Sequence, residues 1–294
     1  MDRRFEAVWL DAVRQLEAAD LSYGQGTEDA GQEAAWMLIH LLGLPLLESF
    51  SDFDATLELP VPAAAATALQ QLVARRIASR QPAAYLLGEA WLAGVRFIAD
   101  PRAIVPRSLI AELLGDGLDP WLPQPPQRIV DCCTGNASLA VLAALRWGTA
   151  RVIGTEISPA ALELAQANVA LHGLQGRVEL LRSDLLAAVP GTAAVDLLLC
   201  NPPYVNTQSM AALPAEFRAE PELALAGGED GMDLVRRLLA DAPRVLAPGG
   251  VLVLEIGHER EYFESAFPDL PAVWLPTSAG DDQVLLLPAA ALAP

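Results

Sequence analysis

The feature that most limits the possible folds is a regular alternation of short apolar runs and helical segments after Leu109. Strands that are apolar along their whole length belong to parallel sheets with helices on both faces. The predicted strands are Arg128–Cys133, Arg151–Glu156, Arg177–Leu181, Val195–Cys200 and Gly250–Ile256. The predicted helices are Ala137–Trp147, Ser158–His172 and about Gly231–Ala242. Residues 109–294 are therefore predicted to form a Rossmann-like α/β domain, with a terminal hairpin of Val273–Leu275 and Val284–Leu287.

The first 82 residues have a different pattern, typical of a small helical domain. Apolar residues fall on one helical stripe over residues 5–19. Two more helices are predicted, over residues 28–42 and 62–79, each ending at glycine or shortly before proline. Over residues 83–108 the helical spacing gives way to short alternating runs, which predict a β-hairpin linker between the two domains.

The composition narrows the class of partner. The formal charge of −18 and the pI of about 4.4 oppose direct DNA binding, which needs clustered Lys and Arg. They favour a basic protein partner, although solubility alone explains the charge equally well. No apolar run reaches the roughly 20 residues of a membrane helix, and the first residues resemble no signal peptide. We therefore expect a soluble cytoplasmic protein.

The three cysteines are Cys132, Cys133 and Cys200, and none belongs to a C-x-x-C motif. Cys132 and Cys133 are neighbours in a predicted strand, so their side chains should point to opposite faces of the sheet. We therefore expect buried free thiols and no metal site or disulfide.

Three loops at one edge of the predicted sheet carry candidate binding residues. In such sheets, ligands bind beyond the carboxyl ends of the strands, where the strand order reverses. In the loop after the first strand, Gly135 permits a tight turn and the following helix offers free N–H groups. The loop lacks the three glycines of a dinucleotide fingerprint. Its candidate residues are Asp131, Cys133, Thr134, Gly135, Asn136 and Ala137.

Acidic residues follow the next two strands. Glu156, which ends the second strand, can accept hydrogen bonds from both ribose hydroxyls of a nucleoside. Asp184, after the third strand, can accept one from an adenine amino group. Taken alone, Glu156 fits a solvated acid at a strand end, and Asp184 fits a helix N-cap. Three such loops in the expected order favour a nucleoside site.

The most specific motif is Asn201-Pro202-Pro203-Tyr204, directly after the fourth strand. The prolines fix φ and remove two backbone donors, so that carbonyl oxygens face a ligand. The Asn201 side chain adds a second rigid acceptor. Two such acceptors fit the hydrogens of a planar NH2 group, on which Tyr204 can stack.

With this motif the sequence resembles the amino-methyltransferases that use S-adenosylmethionine, a group that includes DNA adenine and protein glutamine methyltransferases. The rest of the chain, beyond the first helix, is similar to the protein glutamine N5-methyltransferases, and within them to the branch that modifies ribosomal protein L-three. The motifs that carry the resemblance are Ala84–Trp91 (AYLLGEAW), Val105–Ser108 (VPRS), Met210–Arg218 (MAALPAEFR), Glu220–Leu225 (EPELAL), Gly227–Gly231 (GGEDG) and Gly280–Asp282 (GDD).

The resemblance implies a role for each loop. Cys133–Ala137 would line the methionine part of the cofactor, Glu156 would hold its ribose, and Asp184 with Leu185 would hold its adenine. Asn201–Tyr204 would bind the substrate amide. The family's first loop usually ends Gly-Ser-Gly, whereas this loop ends with Asn136 and Ala137. A methyl group at Ala137 narrows the pocket if φ is positive there; we expect instead a harmless helix start.

The function implied is transfer of a methyl group from S-adenosylmethionine to a glutamine amide nitrogen in a basic ribosomal protein, free or in an assembling ribosome. Residues 1–82 would recognise the substrate and residues 109–294 would catalyse the transfer. The alternatives are methylation of peptide-chain release factors, DNA adenine methylation, and a non-catalytic cofactor-binding protein of ribosome assembly. The acidic charge opposes the second of these, and the intact Asn201–Tyr204 motif opposes the third.

Overall fold

The computed structural model describes residues 3–191 and 193–292, which divide into two compact units. The helical unit contains the chain up to Pro101 together with Pro214–Ala219. The sheet unit contains Arg102–Leu213 and the chain from Glu220 onward. The hairpin predicted within residues 83–108 is confirmed, and it belongs to the helical unit.

The helical unit confirms the three long helices predicted from the sequence. Its elements are β1 (Arg3–Arg4), α1 (Phe5–Glu17), α2 (Ala30–Leu42), α3 (Leu46–Ser51), α4 (Phe53–Leu57), β2 (Pro60–Val61), α5 (Ala63–Ser79), α6 (Ala83–Leu87), β3 (Glu89–Leu92) and β4 (Val95–Ile98). One face of α1 is buried because its apolar residues recur every three or four positions. Helix α2 begins where the Asp29 carboxylate accepts a hydrogen bond from the N–H of Gln32, and it ends at Gly43, with φ of +63°.

The sheet unit contains the predicted alternation of strands and helices. Its elements are α7 (Ile110–Leu113), β5 (Arg128–Cys132), α8 (Ser138–Arg146), β6 (Arg151–Glu156), α9 (Pro159–Leu171), β7 (Val178–Arg182), β8 (Val195–Cys200), α10 (Thr207–Ala212), α11 (Asp233–Val245), β9 (Leu246–Glu255), α12 (Arg260–Ala266), β10 (Val273–Thr277), β11 (Gly280–Pro288) and α13 (Ala289–Leu292). Short 3₁₀ turns lie at Asp119–Trp121 and Glu222–Ala224.

The seven strands of the sheet unit form one sheet in the order β10-β11-β9-β8-β5-β6-β7. The five strands from β9 to β7 pair in parallel, and β11 pairs antiparallel with both β9 and β10. The predicted Rossmann-like sheet and its terminal hairpin are confirmed. The chain proceeds from β5 outward to β6 and β7, then returns to β8 on the other side of β5. This reversal places a ligand crevice beyond the carboxyl ends of β5 and β8.

Strand β9 is longer than predicted, since it begins at Leu246 and not at Gly250. The sequence Pro248-Gly249-Gly250 resembles a break, but the strand bulges there and its register to β8 shifts between Val195 and Leu197. A Cβ at Gly250 would lie 2.5 Å from the carbonyl oxygen of Val195. Glycine therefore permits the close approach of the two strands and does not end the strand.

The core of the sheet unit lies between the central strands and α11. It includes Val130 of β5, Leu198 of β8, Leu252 of β9 and Leu238 of α11, each at most 1% exposed. Such burial explains why these strands are apolar along their whole length. Among the helices of the described residues, none has the length and apolar character needed to cross a bilayer.

Candidate active site

A cavity of about 280 Å³ lies at the predicted edge of the sheet. Its walls come from the loops after β5, β6, β7 and β8, together with residues 102–104 and 221–224. Of the sequence-predicted site residues, those that line it are Cys133, Gly135, Glu156, Asp184, Leu185, Asn201 and Pro203. Those that do not are Asp131, Thr134, Asn136, Ala137, Pro202 and Tyr204. The sequence therefore located the cavity, but not every side chain that faces it.

The loop after β5 is held from beneath by Asp131. This carboxylate accepts hydrogen bonds from the Thr134 hydroxyl and, at 2.9 Å, from the N–H of Ala140 in the first turn of α8. Burial raises the pKa of Asp131 to about 7. The Thr134 N–H donates to the Thr155 carbonyl at 2.9 Å, which ties the loop to β6. Asp131 and Thr134 thus shape the loop whose Cys133 and Gly135 reach the cavity.

Alternate residues of this loop have left-handed backbone: φ is +60° at Cys133, +56° at Gly135 and +66° at Ala137. The expectation of a harmless helix start at Ala137 is therefore wrong, because an L-residue in this conformation costs about 1–2 kcal/mol. Its methyl group is fully buried and is not part of the cavity wall. The cost of the alanine is backbone strain and not a narrower pocket.

Glu156 lies at the end of β6 with its carboxylate in the cavity wall. One oxygen accepts from the Gly135 N–H at 3.0 Å and the other from the Ser158 N–H at 2.9 Å. Burial raises the pKa of Glu156, against the effect of these N–H donors. The side chain thus fixes two loops relative to each other, and each oxygen has lone-pair capacity left for a ligand.

The loop after β7 places Asp184 and Leu185 in the wall. Asp184 pairs with Arg237 of α11 at 2.6 Å, and both side chains are about half exposed. The helix-cap alternative for Asp184 is wrong, because residues 185–188 form turns and not a helix. The Ser183 hydroxyl accepts from the Ala188 N–H at 2.9 Å and closes these turns. Leu185 has φ of +49°, lines the cavity and is 8% exposed.

The Asn201-Pro202-Pro203-Tyr204 motif follows β8, as predicted. The half-buried Asn201 side chain lines the cavity and has no hydrogen-bond partner among the described residues. The Tyr204 ring is wedged against Gly257, where a Cβ would lie 2.5 Å from its Cε2. Burial raises the pKa of Tyr204 further above its usual value, and the nearby Glu255 carboxylate adds to this. The phenol therefore stays protonated and packs inside the protein.

The prediction for the cysteines is wrong in one respect. The Sγ atoms of Cys132, Cys133 and Cys200 all lie within 4.8 Å of one another, so Cys132 and Cys133 do not point apart. The reason is that β5 ends at Cys132 and Cys133 has positive φ, which interrupts the alternation of the strand. All three thiols are free. Cys133 faces the cavity, and burial raises the pKa of Cys200 behind it.

The sequence missed the walls that do not come from the sheet. Residues 102–104 line the cavity, as do Leu234 and Arg237 of α11. Within residues 221–224 the lining residues are Pro221, Leu223 and Ala224. The motif Glu220–Leu225 marked the second of these segments, but nothing in its spacing indicated a position beside the cavity.

Two family models match the chain: the Methyltransferase small domain over residues 118–267, and the PrmC N-terminal domain over residues 10–88. A ribosomal protein uL3 glutamine methyltransferase of Bordetella pertussis is 52% identical over 278 residues, which cover 94% of this chain and 92% of the relative. The proteins of that name from Burkholderia pseudomallei and Neisseria gonorrhoeae are 45% and 42% identical. They cover 96% and 94% of this chain, and 93% and 91% of their own length.

Among solved structures, the hMettl16 catalytic domain in complex with the MAT2A 3'UTR hairpin 6 has a TM-score of 0.51 and 12% identity. The similarity covers 76% of this chain and 81% of that one. At this identity the similarity shows the fold alone.

Proposed function

We propose that this chain, which belongs to the family of ribosomal protein uL3 glutamine methyltransferases, transfers a methyl group from S-adenosylmethionine to the side-chain amide nitrogen of a glutamine in uL3. The observation that carries the proposal is the position of Asn201, whose unpartnered amide meets the same cavity as Glu156 and Asp184. A site that only bound a nucleoside would not need a further set of amide acceptors.

The cavity offers open space beside Gly135 and hydrogen-bond acceptors that suit the cofactor. A Cβ at Gly135 would meet only the Ala103 side chain, at 3.9 Å, so the glycine leaves open space for a ligand beside the backbone. Glu156 has lone pairs left for two ribose hydroxyls, and Asp184 can accept from the adenine amino group beside Leu185. S-adenosylmethionine would supply an electrophilic methyl group on a positively charged sulfur.

The other candidate residues of the loop after β5 act by holding its conformation and not by contact with the cofactor. Asp131 and Thr134 hold the loop conformation, and the Asn136 carbonyl accepts from the Asn168 side chain at 3.0 Å. Cys133 and Gly135 would then face the methionine part of the cofactor. These two roles are assigned because Cys133 and Gly135 line the cavity, whereas Asp131, Thr134 and Asn136 do not and make hydrogen bonds within the protein.

The chemical difficulty is that an amide nitrogen is a poor nucleophile, because its lone pair is delocalised into the carbonyl. The Asn201 side-chain oxygen would accept one of the two amide hydrogens, which raises electron density on nitrogen and orients it. The Pro202 carbonyl, the second acceptor expected from the sequence, is not part of the cavity wall. Positioning of this kind contributes up to roughly 7–11 kcal/mol in ideal cases. No base is required before transfer, since the proton becomes acidic only once nitrogen is alkylated. Accordingly, none of His40, His172 and His258 lines the cavity.

The helical unit would select the protein substrate. Every residue that lines the cavity lies at or after Arg102, so residues 1–82 are free for recognition. The formal charge of −18 suits a basic ribosomal protein as partner, free or in an assembling ribosome.

The test uses purified enzyme, labelled cofactor and three acceptors: free uL3, assembled large subunits and a release factor. Mass spectrometry then locates the added methyl group. Methyl transfer to a uL3 glutamine supports the proposal, and the ratio of free protein to ribosome identifies the physiological form. Methylation of the release factor alone, or of no acceptor, would overturn it.

A further inference from the structure

Two glutamates four residues apart, Glu216 and Glu220, are both fully buried, with side chains 0% exposed. Isolated buried carboxylates are strongly unfavourable, so each must be held by cationic partners. Both lie in the segment 214–225, which we call the strap. The strap belongs to motifs that the function described above does not use.

Glu220 is held inside the sheet unit. Its carboxylate accepts two parallel hydrogen bonds from Arg107, at 2.5 and 2.8 Å, and a third from the N–H of Val105 at 2.8 Å. A bidentate pair of this kind fixes direction as well as distance. Residues 102–104 of the cavity wall immediately precede these partners, and residues 221–224 of the wall immediately follow Glu220. One ion pair therefore joins two wall segments that are distant in sequence.

Glu216 is held inside the helical unit. Its Oε1 lies 2.7 Å from Nε of Arg80 and 3.5 Å from Nη1 of Arg76. Nε of the same Arg76 donates to Glu33 at 2.8 Å. The Glu216 carbonyl accepts from Gln25 at 3.3 Å. Pro214–Ala219 is the one described stretch after Pro101 that belongs to this unit.

The C-terminal end of the strap returns to the amide motif. The Val205 N–H, next to Tyr204, donates to the Leu225 carbonyl at 2.9 Å, and the Gly227 N–H donates back to Val205 at 2.9 Å. The loop that carries Asn201 is thus bonded to a strap with one anchor in each unit.

We propose that the strap is a positioning element of methyl transfer, in which Glu220 sets the cofactor wall and Glu216 fixes the preceding part of the strap within the unit that selects the protein substrate. The second half rests on the proposed function. Release of Glu220 would loosen the wall and weaken cofactor binding. Release of Glu216 would leave the cofactor site intact and weaken productive binding of the protein substrate.

The test compares Glu220→Gln and Glu216→Gln, which keep side-chain volume and one carbonyl acceptor but remove the charge. The matched control is Asp241→Asn, which breaks the surface pair with Arg244 at 2.8 Å on α11. Calorimetry should give at least about a tenfold rise in the dissociation constant of S-adenosylhomocysteine for Glu220→Gln, and less than about twofold for Glu216→Gln and the control. If Glu220→Gln does not fold, Arg107→Lys, which keeps the charge but not the two parallel donors, replaces it.

A second measurement does not depend on activity. Arg218 lies in the strap between the two anchors and is exposed, so it is a trypsin site that opens when the strap detaches. Cleavage after Arg218 should accelerate at least about tenfold in both variants and not in the control, because proteolysis follows local opening. Mass spectrometry identifies the cut.

Kinetics separate the two anchors. Glu216→Gln should raise KM for the protein substrate with little change in kcat, since it leaves the reacting groups in place. Unchanged cofactor affinity and unchanged cleavage in Glu220→Gln would overturn the proposal, as would unchanged KM in Glu216→Gln despite faster cleavage. If wild-type enzyme does not methylate uL3, the proposed function fails, while cofactor affinity and cleavage still decide whether Glu220 positions the wall.

Discussion

Glu156→Ala should affect both the cofactor and the fold, and the structure gives a magnitude for each. From the sequence alone, Glu156 has no structural role beyond the ligand. In the structure its two oxygens accept the N–H groups of Gly135 and Ser158. Removing the carboxylate leaves both N–H groups without their protein partner at the wall of the cavity.

The structural cost is moderate, because water can reach the cavity wall and replace part of each bond. At about 1 kcal/mol for each lost hydrogen bond, the loss of stability is about 2 kcal/mol. Removal of a carboxylate whose burial raises its pKa offsets part of this loss. A net loss of about 1–2 kcal/mol lowers the melting temperature by roughly 2–3 °C in a protein of this size.

The cost in affinity is larger. Two hydroxyl groups bonded to a carboxylate contribute about 1.5–3 kcal/mol each, so loss of even one predicts at least about a tenfold rise in the dissociation constant. Titration calorimetry with S-adenosylhomocysteine measures it, beside a thermal melt. Glu179→Ala is the control: it removes the same charge from an exposed position on β7. An unchanged dissociation constant in Glu156→Ala would remove Glu156 from the cofactor site.

Three further experiments test other parts of the site. Asn201→Ala should lower the single-turnover rate at saturating cofactor by about a hundredfold to a thousandfold, because a preorganised acceptor of the amide hydrogens is lost. Asn201→Asp should lower it almost as much, because the carboxylate still accepts a hydrogen bond but adds negative charge beside the positively charged sulfur. Rates above about a tenth of wild type in both variants would contradict this role. Asp131→Asn should flatten the pH dependence of stability, measured by urea unfolding. Burial raises the pKa of Asp131 from 3.8 to about 7, so its contribution is fully present below pH 3.8 and is lost as pH rises through about 7; equal slopes in variant and wild type would refute this. S-adenosylhomocysteine should slow alkylation of Cys133 by N-ethylmaleimide, followed by mass spectrometry, and equal rates with and without it would place Cys133 outside the cofactor wall.

The sheet was predictable because strands buried on both faces are apolar along their whole length, and this pattern is visible in the sequence. The strands Val195–Cys200 and Arg151–Glu156 were predicted with their observed bounds, and β5 agrees to within one residue. Strand β9 was not predictable, because Gly250 is shaped by contact with Val195, which lies 55 positions earlier in the sequence. Only the assembled sheet shows that this glycine allows close packing and does not interrupt the strand.

The position of the cavity was predictable from topology, since loops after neighbouring parallel strands meet at one edge. The direction of each side chain was not. In the loop after β5, positive φ at Cys133 turns its thiol toward the cavity, and Asp131 stays beneath the loop. The wall formed by residues 221–224 was also hidden, because it depends on the pair of Glu220 with Arg107, 113 positions apart. Periodicity carries no information on such a contact.

Ala137 shows how strain of this kind persists. Helix N-caps normally have extended backbone, and on that basis an alanine before α8 is harmless. Here the helix starts from a left-handed residue instead, and the local bonds leave no alternative: the Ala137 N–H donates to the Thr134 carbonyl at 2.8 Å, and its own carbonyl accepts from Val141 at 2.9 Å. Asp131 bonds both ends of the turn, through Thr134 and Ala140. These hydrogen bonds therefore fix the loop conformation despite the strain at Ala137. Backbone strain maintained by surrounding bonds is most often found beside ligand sites. The same bonds that strain Ala137 hold Gly135 and Cys133 against the cavity.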